Sequence, residues 1–152
     1  MSVIEARLAD IGLVLPEPVA PIANYVPAVL AGNLLHISGQ VSLDANGGVK
    51  GIVGEDVSLE RAQDAARMCG VNLIAQMRMA LGDLDRVVRV VKLGGFVQAG
   101  PEFYDIPKVI NGCSDLMVQV FGDAGRHARA AVGVYRLPLG YAVEVDAVVE
   151  VS

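Results

Sequence analysis

The sequence predicts an α+β fold: a largely antiparallel or mixed β-sheet with two long helices packed on one face, plus a short N-terminal helix. Three observations predict it. Segments 59–81 and 105–120 carry apolar residues at intervals of three and four, the helical period. Valine-rich runs of strand length flank them, giving the order β-β-(β)-α-β-α-β-β. The 152 residues are 53% hydrophobic and 19% charged, with mean hydropathy +0.49. That is too apolar for the sheet face left open by the helices to stay in water, so a second subunit is expected to cover it.

Each element has its own signal. Val3, Ile4, Leu8, Ile11 and Leu13 are spaced for a short amphipathic helix over 2–13, ending near Gly12. A Pro-rich loop follows, and residues 1–20 read as an extension of one domain spanning 1–152. Tyr25–Ala31 and Leu34–Gln40 flank Gly32-Asn33, a dipeptide suited to a two-residue hairpin turn. Glycines 47, 48 and 51 surround a short strand at Val49–Val53. Ser58 or Asp56 caps the long helix Leu59–Leu81, and Gly82 stops it. Arg86–Val97 reads as a strand buried on at least one face, with a bulge expected at Gly94-Gly95. Asp105 and Pro107 start the second long helix, which runs to about Val120 before Gly122 and Gly125. Residues 125–146 then read as two strands joined by a tight turn at Pro138-Leu139.

Several function classes are disfavoured. The net charge is −5 with a pI near 4.9, and no Lys/Arg cluster of a density that tracks a phosphate backbone is present. Residues 18–43 lack Asp, Glu, Lys and Arg, but prolines 18, 21 and 27 and glycines 32 and 39 break them too often for a spanning helix. Cys69 and Cys113 form no Cys-x-x-Cys pair and no secretory leader precedes them, which fits core filler in a reducing cytoplasm. No Walker loop, dinucleotide fingerprint or metal-ligand spacing occurs, so neither cofactor nor metal is expected.

The last two strands hold the chemistry. Arg129 and Glu144 each sit in apolar β company, where a charge needs a partner. If the turn holds an even number of residues, the two point to one face, with Glu144 opposite Gly133 and Arg129 about 13 Å further along. Ala131 and Gly133 leave an open floor between them. An arginine fork grips a carboxylate through two parallel hydrogen bonds, and a nearby glutamate can orient and deprotonate a water. A structural ion pair at a subunit interface is the alternative. His127 shares the strand face of Arg129 and can serve as a general acid near neutral pH, or simply finish a loop. Asn111-Gly112 is an unfavourable pair inside a helix, which points to close backbone approach there.

These residues bear a resemblance to the YjgF/YER057c/UK114 family, also called the Rid (reactive intermediate deaminase) family. It runs from about Tyr25 to the C-terminus and rests on Leu35-His36-Ile37-Ser38-Gly39-Gln40, Ala65-Ala66, Asn72-Leu73, Gly82-Asp83-Leu84, Asn111, Ala128-Arg129-Ala130-Ala131-Val132, Leu137-Pro138 and Val143-Glu144-Val145. The resemblance implies a chorismate-mutase-like fold assembled as a homotrimer with clefts between subunits. It also implies cofactor-free hydrolysis of 2-aminoacrylate or its imine tautomers to 2-oxo acids and ammonia. Arg129 would bind the substrate carboxylate, Glu144 would orient water, and Tyr25, Ser38, Gly39 and Asn111 would line the cleft, Tyr25 and Asn111 reaching it from the neighbouring subunit. The chain departs from compact members in its N-terminal helix, in additions around 94–100 and 121–127, and in Ala131, where many have cysteine. Two other readings stay open: a non-enzymatic trimer that binds a small carboxylate, and the endoribonuclease or translation inhibitor (L-PSP) of older family descriptions.

Overall fold

In the computed structural model, the structure describes residues 2–18, 21 and 23–152. Met1 and, within the Pro-rich loop, Val19, Ala20 and Ile22 lie outside the described residues. Helix α1 spans Val3–Asp10, shorter than the pattern 2–13, because the chain turns at Ile11 and Gly12 has a φ of +70°. Its first turn is capped twice. Ser2 Oγ accepts from Glu5 N, and the Asp85 carboxylate accepts from Val3 N at 2.9 Å and Ile4 N at 3.0 Å. Those donors hold the Asp85 carboxyl below its ordinary range.

Helix α2 (Leu59–Leu81) starts where Ser58 Oγ accepts from Arg61 N and stops at Gly82, whose φ is +76°. Helix α3 (Ile106–Phe121) has Pro107 in its first turn and ends at Gly122. The two pack together and cover one face of the sheet. A methyl at Gly112 would lie 2.9 Å from the Gln63 carbonyl carbon, so the close approach expected at Asn111-Gly112 is α3 backbone against α2, on the side away from Arg129. Cys69 and Cys113 are buried at this contact, and burial pushes the Cys113 thiol up to about 12.

Five strands form a mixed sheet: β1 (Ala28–Ala31), β2 (Leu34–Val41), β3 (Val87–Gln98), β4 (Ala128–Val134) and β5 (Val143–Val151), in the order β1-β2-β5-β3-β4. The opening hairpin is present, though β1 begins only after Pro27. Val49–Val53 contributes isolated bridges rather than a strand. The β3 register shifts fall between Val87 and Arg89 and between Val90 and Lys92, not at Gly94-Gly95. These two glycines make room instead: Gly94 for the Asp146 carboxylate and Gly95 for Ile110 of α3.

The closing hairpin does not form. Strand β3 lies between β4 and β5, because α3 is a crossover that returns β4 parallel to β3. The turn at Pro138–Gly140 carries the chain past the end of β3 to the sheet centre. It is tied there by Gln98, whose Oε1 accepts from Leu137 N and whose Nε2 donates to Gly51 O and Gly140 O. Along β5, Val143, Val145, Ala147, Val149 and Val151 are buried against the helices, while the alternate residues face the open side.

Candidate functional site

The register decides where the two β-charges point. Arg129 pairs with Leu93, which is fully buried beneath the helices, so Arg129 projects on the helix side at the edge of the sheet. Glu144 pairs with Phe96 and belongs to the alternating set on the opposite side. The expectation that both charges share a face is therefore wrong for a single chain. They sit about 10 Å apart across two strand spacings, offset about 10 Å along the strands, on opposite faces. One chain thus carries two separate groups.

The first group is built on α3 and β4. Arg129 Nη1 donates to Asn111 Oδ1 at 2.9 Å and to Ser114 Oγ at 3.0 Å, and Nη2 donates to Pro107 O at 3.2 Å. Asn111 and Ser114 are three residues apart on α3 and so present one surface to the guanidinium. Of the five N–H donors of an arginine, three are thereby held and two remain for a ligand. Ala131, two residues on, lies on the same side and packs partly on the core. His127 does not face outward. Its Nε2 is 2.9 Å from Ser114 Oγ and its Nδ1 is hydrogen-bonded to Gly125 O at 2.6 Å. Burial lowers its pKa below 6.5, and the charge of Arg129 adds to this against the bond to Gly125.

The second group lies around the β2 bulge. Pairing with β5 shifts between Ile37 and Gln40, which frees Ser38 and Gly39 from the ladder beside Glu144. Glu144 lies against Gly39 closely enough that any Cβ there would collide with its carboxylate. Ser38 Oγ donates to Val26 O at 2.8 Å, which pins the segment holding exposed Tyr25 next to the bulge. Burial raises the Glu144 pKa, and the nearby Asp146 carboxylate raises it further. Asp146 is raised by burial too, against the opposing effects of the Gly94 backbone and Lys92. Among the described residues, the Glu144 side chain forms no hydrogen bond or ion pair.

Tyr25, Ser38, Gly39 and Glu144 therefore gather on one face, and Asn111, His127, Arg129 and Ala131 gather at the other. Ser114 and the Pro107 carbonyl were not expected. The spacing of Ser114 from Asn111 was the available signal. Among the described residues no cluster of His, Cys, Asp or Glu could hold a metal ion, and no helix is long and apolar enough to cross a membrane. A surface cavity of about 240 Å³ lies between Val14, Leu43, Met68 and Asn72, and no residue of either group lines it.

The profile of the YjgF/chorismate-mutase-like family, a family also described as endoribonucleases, matches residues 5–150. The Trypanosoma cruzi protein TCP17 is 49% identical over 151 residues, covering 98% of this chain and 94% of that protein. The crystal structure of Atu1372 from Agrobacterium tumefaciens, a protein of unknown function, superposes with a TM-score of 0.92 at 49% identity, covering 98% of this chain and 92% of that one. RidA from an Antarctic Psychrobacter superposes with a TM-score of 0.63 at 26% identity, covering 89% and 94%.

Proposed function

Because the chain belongs to the YjgF/chorismate-mutase-like family, we propose that it is a cytoplasmic homotrimer that hydrolyses small 2-imino acids to 2-oxo acids and ammonia. In this assembly the Arg129 edge of one copy closes on the Glu144 face of the next, forming one intersubunit cleft. The observation that carries the reading is the complementarity of the two groups. Arg129 keeps two donors for a carboxylate, and Glu144 is a carboxylate with a raised pKa and no partner among the described residues, yet they point away from each other in a lone chain. Exposed Val29 and Val132 on the open sheet face support burial against another subunit.

The chemistry asks little of the protein. Arg129 holds the carboxylate and so places C2 of the imine against a water on Glu144. As the water oxygen bonds to C2, Glu144 takes its proton, and the C=N electrons move onto nitrogen to give a carbinolamine. The carboxylic acid then returns the proton to nitrogen, the regenerated carboxylate takes the hydroxyl proton in turn and passes it to the leaving nitrogen, and ammonia leaves as the C2–N bond breaks and C=O forms. A carboxylate raised toward neutral pH is a better base for this step, and general-base help contributes roughly 10²–10⁴ in rate. Ser38, Gly39, Tyr25, Asn111 and Ala131 shape the cleft.

The test follows release of ammonia and 2-oxo acid after 2-iminopropanoate is generated in situ, against the spontaneous rate. The parent should accelerate the reaction and Arg129→Ala should abolish the acceleration. An Arg129→Ala protein as fast as the parent would sink the proposal. Pyruvate binding without turnover would make the cleft a binding site only.

A further inference from the structure

Two side chains are wired in series behind Arg129: His127 bonds to Gly125 O and to Ser114, and Ser114 bonds to Arg129. Chemistry sets the direction of each bond. A backbone carbonyl only accepts, so Nδ1 of His127 carries the ring proton. In the neutral ring Nε2 is then a lone pair, and the Ser114 hydroxyl must donate to it. With its proton committed, Ser114 Oγ presents lone pairs to Arg129 Nη1. The ring thus decides which way the hydroxyl points, and the hydroxyl decides where the guanidinium sits.

We propose that Ser114 and His127 are positioning residues that hold Arg129 with its two remaining donors turned outward for a carboxylate. The carboxylate part rests on the proposed function; the wiring of Arg129 does not. Asn111 shares Nη1 with Ser114 and the Pro107 carbonyl holds Nη2, so loss of Ser114 or His127 loosens the guanidinium without freeing it. An imidazole spent on Gly125 and Ser114 has no free nitrogen for substrate, which separates this role from that of a general acid.

The charged surroundings are sparse. Arg129 faces the ring from β4, and α3 faces it with uncharged Ser114, next to which Asp115 is exposed. On the turn before β4, Arg126 pairs with Asp123 at 3.5 Å, and Arg89 of β3 donates to Arg126 O. Lys92 of β3 lies on the opposite side of the sheet. Among the described residues, no carboxylate touches the ring to favour its protonation.

The experiment compares the full-length parent with Ser114→Ala, His127→Leu and His127→Gln, whose Oε1 can still accept from Ser114. Nitrogen NMR near neutral pH should show His127 neutral with the proton on Nδ1. The Arg129 Nε–H signal should shift or broaden in Ser114→Ala and His127→Leu and stay near the parent position in His127→Gln. Pyruvate titration should weaken about five- to thirtyfold in the first two variants and about threefold or less in the third. Imine turnover should show KM raised by more than kcat falls, because the carboxylate contact is made in ground and transition states alike while Asn111 and Pro107 keep the guanidinium in place. An Nε2-protonated ring, an Arg129 signal indifferent to all three changes, or a fall in kcat at constant KM would overturn the proposal. If the parent neither binds pyruvate nor turns over imine, the functional reading fails while the NMR arm still decides the wiring.

Discussion

Replacing Gly39 by alanine tests the Glu144 face without touching Glu144. A methyl at this position would lie 2.8 Å from Glu144 Cδ and 3.1 Å from Cγ, and closer still to Oε2, so the carboxylate must swing away. Gly39 is not among the glycines with positive φ, so alanine fits its backbone and the change is confined to the neighbour. Folding should therefore be unharmed, and loss of glycine freedom in the unfolded chain should add about 0.4–1 kcal/mol of stability once Glu144 is out of the way. Turnover behaves oppositely. General-base help of roughly 10²–10⁴ corresponds to about 3–5 kcal/mol in the barrier, and a displaced carboxylate forfeits most of it. The assay is a double-mutant cycle on imine hydrolysis with Gly39→Ala, Glu144→Ala and the pair. Each single change should cost about the same, and the pair no more than either, leaving a coupling energy near the full single-mutant effect. Additive losses would show that Gly39 acts by another route, and an unchanged rate in Gly39→Ala would refute the role of Glu144.

Two further predictions concern stability. Gly112→Ala forces a methyl against the Gln63 backbone at a fixed helix–helix contact, and should cost about 1–3 kcal/mol, seen as a fall in Tm of about 2–12 °C; an unchanged Tm would mean that α2 and α3 part easily. The pH dependence has two opposite signs. His127 is lowered on folding, so between its folded value and 6.5 the unfolded chain binds the extra proton and stability falls as pH drops below 6.5. Glu144 is raised, so the unfolded chain releases its proton first and stability falls as pH rises from 4.5 through the folded value. Urea midpoints of His127→Gln should therefore lose the first slope and those of Glu144→Gln the second, the latter being more stable than the parent at neutral pH.

Much of the fold was legible because its signals are local. Ser58 and Gly82 bracket α2, Pro107 opens α3, and Gly32-Asn33 turns the first hairpin, all within a few residues of the feature they control. The placement of β4 was not legible for the converse reason. Strands adjacent in sequence and joined by a Pro-containing turn default to a hairpin, and nothing local records that β3, some thirty residues upstream, already occupies the place between them. The alternation of β5 was readable, but the face of Arg129 depends on its pairing with Leu93, a contact that spans α3. Ser114 escaped notice because a serine within a helix has no distinctive pattern, and only its spacing from Asn111 and the distant His127 gives it a role.

The corrected register changes what Arg129 and Glu144 mean. In a hairpin with both on one face they would have been within reach of a shared ligand, and a structural ion pair would have been a sufficient account of two charges in a β-core. On opposite faces of one sheet they cannot neutralise each other, so each must be explained by its own surroundings. Arg129 is explained by three hydrogen bonds to α3, which leave two of its N–H donors open. Glu144 has no partner among the described residues: burial and Asp146 both oppose its charge, and Gly39 makes room for it without offering a hydrogen bond. A half-buried carboxylate kept at such a cost is accounted for when a second copy supplies the cation through a bound acid, which ties the catalytic reading to assembly rather than to the fold of one chain.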